Sequence, residues 1–217
     1  MTDACSAHVA LVDSGVKRDH PHVADGDVTF GPTIAPDGRA VDEPQLDLLG
    51  HGTATCAAIL DLAPATRVTS IRVFHDVADC PYENVLRGLE LAIVMEPDLV
   101  NLGLGTASIQ WRDRLEAIVA QAVDVGVRIV APASFRGLPS WPGCLPGVEG
   151  VLVDPDCPRE RPRGEERDGR HFWFASPWPR ELPGLSRERN LHGDSFAVAN
   201  VVGYLARSLA TERDASG

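Results

Sequence analysis

Residues 8–15 read "HVALVDSG". Val9 to Val12 form an apolar run without polar alternation, and it stops at Asp13-Ser14-Gly15. A short run of this kind, bounded by turn residues, is a buried strand followed by a turn. A strand buried on both faces needs helices above and below it.

The chain supplies them. The stretches "VTSIRVF" (68–74), "PDLVNLGLG" (97–105), "GVRIVAPAS" (126–134) and "VEGVLVD" (148–154) read as further strands. Between them lie helical stretches. Residues 84–95 carry Val85, Leu89 and Ile93 on one face, and residues 109–125 carry Leu115, Ile118, Val119 and Ala122. Residues 196–209 close the chain as a helix. This alternation predicts an α/β fold: three α/β/α layers around a mostly parallel central sheet.

A length of 217 residues, 44% hydrophobic and 24% charged, fits one globular domain over 1–217. No apolar run approaches the ~20 residues of a membrane span. The N-terminus lacks a basic region followed by a long apolar stretch. Five cysteines at 5, 56, 80, 144 and 157 form neither a disulfide framework nor a zinc motif, which points to a reducing, cytoplasmic setting. A net charge of −11 argues against nucleic acid and anionic membranes as partners. Ten of the seventeen prolines fall between 132 and 183, so texture changes there. Residues 155–170, "PDCPRERPRGEERDGR", read as an exposed loop, and 210–217 as a disordered tail.

Three stretches carry chemistry. "ALVDSGV" ends a strand on Asp13, "LGHGTATCAAIL" (49–60) opens a helix at His51, and "HGDSFAVA" opens another at Ser195. Ser195 reads two ways. It is a favoured helix N-cap, or a nucleophile placed where free amides and a partial positive charge meet a forming anion. A serine hydroxyl needs a base, imidazole serves near neutrality, and a carboxylate fixes the imidazole's tautomer. Functional groups of open α/β sheets gather beyond the carboxyl ends of the strands, where Asp13 lies.

These blocks resemble those of the subtilisin-like serine peptidases (subtilases). "VALVDSGV" resembles the Asp block, with "HP" at 20–21 as its continuation. "GHGTATCAAI" resembles the His block, and "LAPATRVTSIRVF" (62–74) the strand after it. "PDLVNLGLGT" resembles the substrate-binding strand, and "HGDSFAVANVVGYLA" the Ser block. The likeness spans residues 7–209, and the Asp, His, Ser order is the one known in subtilisin. It implies Ser195 as nucleophile, His51 as base and then acid, and Asp13 as the orienting carboxylate. It implies that Leu102, Gly103, Leu104 and Gly105 lie extended beside a peptide substrate. Ala131, Pro132 and Ala133 would wall the pocket for the residue before the scissile bond.

The departures matter. The family places an oxyanion-binding Asn where this chain has Phe135, which carries no donor. Loss of that Asn costs roughly 10²–10³ in turnover, a figure measured in this same family. The expected donors are then the Ser195 backbone and Ser134, with His192 and Asn190 further away. Ala54 and Thr55 replace His-Val in the His block, leaving Cys56 as a core thiol or a mercurial target. Ala199-Asn200 replaces Pro-His and should alter packing. Asp42, Glu43 and Asp47 do not form a spaced calcium set, so no metal and no cofactor are expected. The Asp block comes within thirteen residues of the start, so no pro-segment is expected. The implied function is a cytoplasmic serine endopeptidase that processes a specific peptide or precursor, such as the leader of a ribosomally made product. The competing readings are a peptide-binding pseudopeptidase and an esterase or amidase.

Overall fold

The run at 9–12 is buried because it is an interior strand of a nine-stranded sheet. A computed structural model describes residues 6–77 and 79–216. In chain order its strands are β1 His8–Asp13, β2 Asp27–Ile34, β3 Ala40–Val41, β4 Arg67–Arg72, β5 Leu99–Asn101, β6 Arg128–Pro132, β7 Ser134–Phe135, β8 Leu138–Pro139, β9 Val148–Val153, β10 Arg163–Arg167 and β11 Arg170–Ala175. Its α-helices are α1 His51–Leu62, α2 Tyr82–Val94, α3 Arg112–Asp124 and α4 Asp194–Ser216.

The sheet order is β10-β11-β9-β6-β5-β1-β4-β2-β3, and β7 pairs with β8 apart from it. The seven inner strands run parallel, while β3 and β10 are antiparallel additions at the two edges. Side chains alternate along a strand, so β1 serves both layers. Ala10 and Val12 pack with Leu86, Leu89, Leu115 and Ile118 of α2 and α3. Val9 packs on the other face with Ile59 of α1 and Val198, Val201 and Val202 of α4. The expected α/β/α layering follows.

β1 lies between β4, reached through α1, and β5, reached through α2. Strand order reverses there, and in open sheets the crevice forms beyond the carboxyl ends of the strands at that reversal. Asp13 ends β1, and Leu102–Gly105 follows β5.

Four expectations are corrected. The third strand stops at Asn101 and not at 105: Leu102 still donates to the Val130 carbonyl at 3.0 Å, but the next paired residue is Thr106, which bridges to Trp141. Within 155–170, residues 163–167 are strand, and Asp168 and Gly169 turn it into β11. α4 runs to Ser216, so the tail expected at 210–217 is helical; only Gly217 lies outside the described residues. Arg213 holds that end by donating to the Ser6 carbonyl at 3.0 Å and pairing with Asp98. β2, unread in the sequence because Gly31 and Pro32 interrupt it, extends the parallel sheet beyond β4.

Candidate active site

α1 begins with His51, preceded by Gly50 in the left-handed conformation at φ 73°. Its free first-turn amides find their acceptors in Asp47 and Ser14. Asp47 Oδ1 accepts from the Gly50 amide and the Ser14 hydroxyl, each at 2.8 Å. Its Oδ2 accepts from the Thr53 amide at 2.8 Å and the Thr53 hydroxyl at 2.5 Å. Ser14 Oγ accepts from the Gly52 amide at 2.9 Å. Gly52 is required by space: a Cβ there would overlap the Gly15 carbonyl oxygen. The turn after β1 is thereby locked to the first turn of α1, and His51 faces Asp13.

Asp13 is buried, and its Oδ1 accepts from the Ser14 amide at 2.7 Å. His51 Nδ1 lies 2.7 Å from Asp13 Oδ1 and 3.0 Å from Oδ2. A carboxylate only accepts, so Nδ1 carries the proton and Nε2 is the free acceptor. Ser195 Oγ lies 2.8 Å from Nε2 and donates to it. Burial lowers the His51 pKa, but the charge and hydrogen bond of Asp13 and the charge of Asp47 outweigh it, so the imidazole titrates above its usual 6.5.

Ser195 is the second residue of α4. The Phe196 and Ala197 amides donate to the Gly193 carbonyl, at 3.1 and 3.2 Å. The Ser195 hydroxyl is engaged by His51, so the N-cap reading of Ser195 is overturned. The Ser195 amide is a first-turn donor without an intrahelical acceptor, at the helix end where the dipole favours negative charge.

A cleft of about 460 Å³ opens over this relay, lined by Asp13, Leu49, His51, Phe74, Gly103, Leu104, Gly105, Pro132, Phe135, Asp194 and Ser195. Of the residues expected to bind substrate, Gly103, Leu104, Gly105 and Pro132 face it. Leu102, Ala131 and Ala133 do not: all three are buried, Leu102 and Ala131 within the layer beneath α2 and α3. Gly103 lies close beside the serine: a Cβ there would sit 3.1 Å from Ser195 Cβ, a tight contact.

Phe135 lines the cleft from the β7–β8 hairpin, whose turn residues Arg136 and Gly137 both have positive φ. That is the geometry of a two-residue hairpin turn. The Arg136 guanidinium stacks on the Phe135 ring at 5.1 Å. Ser134 does not line the cleft, and the donors expected at 190 and 192 are also elsewhere. Asn190 donates to the Arg180 carbonyl at 3.0 Å, and His192 lies against Trp178 at 6.5 Å between ring centroids.

Three site residues went unrecognised in the sequence. Asp47 reads there as one of a loose acidic group, and it organises the start of α1. Asp194 lines the cleft beside the serine, and burial pushes its carboxyl above the usual carboxylate range. The signal was its place directly before Ser195. Asn101 is fully buried, with neither side-chain oxygen nor nitrogen hydrogen-bonded. Its Nδ2 would lie 3.7 Å from a Cβ on Gly103. Cys56 is a core residue whose thiol burial pushes up to about 12, so it is unreactive at neutral pH. Among the described residues no group of three or more His, Cys, Asp or Glu side chains is placed to hold a metal ion.

A mostly parallel sheet with a crevice at its order reversal, holding an Asp–His–Ser relay across β1, α1 and α4, defines a subtilisin-like architecture. The comparisons agree. The chain is 29% identical over 138 residues to subtilisin from Bacillus pumilus, a match covering 59% of this chain and 47% of the relative. It therefore spans about half the length of that curated relative. The protease domain of PatA superposes with a TM-score of 0.71 at 23% identity, covering 99% of this chain and 84% of that one. The nisin leader peptidase NisP from Lactococcus lactis superposes with a TM-score of 0.73 at 17% identity, covering 97% and 79%. No family model matches.

Proposed function

We propose that this protein is a serine endopeptidase that processes a specific peptide or precursor, removal of a leader in peptide natural-product maturation being the best-supported case. The observation that carries the reading is the unbroken hydrogen-bond chain from Asp13 through His51 to Ser195. It ends on a nucleophile in the first turn of a helix, beside an unpaired backbone edge.

Gly103, Leu104 and Gly105 make none of the backbone pairings that flank them at Leu102 and Thr106, so an extended peptide can add there as a strand. Its carbonyl carbon is attacked by Ser195 Oγ while His51 Nε2 takes the hydroxyl proton. Negative charge develops on the carbonyl oxygen near the Ser195 amide. His51 then protonates the leaving amine, the C–N bond breaks, and an acyl-enzyme remains. Water, deprotonated by His51, hydrolyses it. The nisin leader peptidase shares the fold, which supports a processing role. The free thiols of Cys56, Cys80, Cys144 and Cys157 support a reducing, cytoplasmic setting.

A fluorophosphonate probe tests the reading. It labels the folded wild type and fails to label Ser195→Ala; absence of labelling in folded wild type overturns hydrolysis. One observation favours a second reading, a peptide-binding pseudopeptidase: Phe135, which carries no donor, lines the cleft where the resemblance implies an oxyanion-binding Asn. Peptide affinity without turnover or labelling would establish it.

A further inference from the structure

Resting on the peptidase reading, we infer that the protein cleaves after a small residue, glycine, alanine or serine, because segment 139–144 fills the pocket for the side chain before the scissile bond. In that reading the side chain enters between Gly103–Gly105 on one side and Pro132 on the other. The two walls meet. A Cβ on Gly105 would sit 3.4 Å from Pro132 Cγ and 2.9 Å from the Trp141 carbonyl oxygen, and would overlap Ser140 Oγ.

Ser140 stands between them, fully buried, its hydroxyl without a hydrogen-bond partner. It is tied to both walls. Its own amide donates to the Ala133 carbonyl at 3.1 Å. On the other side Thr106 and Trp141 exchange two backbone hydrogen bonds, of 2.9 and 2.8 Å. The turn beyond is wedged under the same wall. A Cβ on Gly143 would overlap the Pro132 carbonyl and lie 2.7 Å from the Ala133 nitrogen, while Cys144 Sγ donates to the Ala133 carbonyl at 3.0 Å. A floor fixed by backbone bonds on both sides does not yield to a ring or a branched chain. Interiors packed this closely reject even a single added methylene.

Peptides identical except for Gly, Ala, Ser, Leu, Phe or Lys before the scissile bond test this, scored by kcat/KM. One methylene in a closed pocket is worth about 10–200-fold, so Ala should exceed Leu and Phe by at least about 100-fold. Ser140→Gly, which opens the floor, should narrow that ratio at least about tenfold. Cleavage of Leu or Phe peptides within threefold of Ala, or an active Ser140→Gly with an unchanged ratio, overturns the inference while probe labelling of Ser195 leaves the peptidase reading standing. Wild type that takes up no fluorophosphonate overturns both.

Discussion

At the scale of single residues, His51 is the most finely set group. His51 titrates above 6.5 because Asp13 and Asp47 outweigh the effect of its burial. In the proposed mechanism His51 works unprotonated, so activity should rise as pH climbs through that raised value. Asp47→Asn removes one of the raising charges and shifts the acid limb of the kcat/KM profile to lower pH. It also weakens the start of α1, at about 1 kcal/mol in a melting experiment. An unmoved limb would separate Asp47 from the titration of His51. Phe135 makes the opposite kind of statement, since it withholds a donor. Phe135→Asn should raise kcat by on the order of 10²-fold if the amide reaches the oxyanion. A fall in kcat/KM would instead make the ring a substrate contact. Asp13, His51 and Ser195 were legible in the sequence because each lies at a strand end or helix start inside a stretch that resembles a subtilase block. Asp47 was not, because its role comes from a loop fold that returns it to Ser14.

At the scale of elements, legibility follows burial. β1, β4, β6 and β9 carry apolar runs and were located in the sequence to within a few residues. β10 was read as loop because an edge strand exposes its side chains, and "RGEER" is charged on both faces. The Asp168-Gly169 turn was its only local signal. The substitution of Asn200 for the family's His, visible in the sequence, gains a physical meaning here. Asn200 Nδ2 donates to the Ser176 and Trp178 carbonyls at 3.0 and 2.8 Å, and its Oδ1 accepts from Arg159 Nε at 2.9 Å. Arg159 also reaches the Ala58 carbonyl at 2.7 Å and Asp61 at 2.5 Å. One guanidinium therefore ties α1, α4 and the segment after β9 together. Arg159→Met should cost about 2–3 kcal/mol by leaving several partners unpaired, and lower Tm by roughly 5–10 °C. A Tm within 1–2 °C of wild type would reduce the cluster to a surface contact.

At the scale of the whole molecule, acid should be the weak side. Burial alone would raise the Glu149 carboxyl, but hydrogen bonds from Trp173, Arg128 and His171 and the charge of Arg128 hold it below its usual 4.5. Those bonds join β6, β9 and β11. A carboxyl depressed in the folded state contributes stability above its unfolded value, and that stability is lost as pH falls through the folded one. Tm should therefore drop below about pH 4.5, and Glu149→Gln should flatten the drop. An unchanged pH dependence in that variant would place the acid sensitivity elsewhere. The relay itself has a geometric consequence. Its carboxylate stands on the sheet, while its imidazole and alcohol stand on two helices packed against one another in a single outer layer. The proposed catalysis would thus gauge how that layer is seated. A slip of about one ångström, too small to register in circular dichroism, is enough to lose turnover about a hundredfold. On warming, the proposed activity should fall silent before the fold melts.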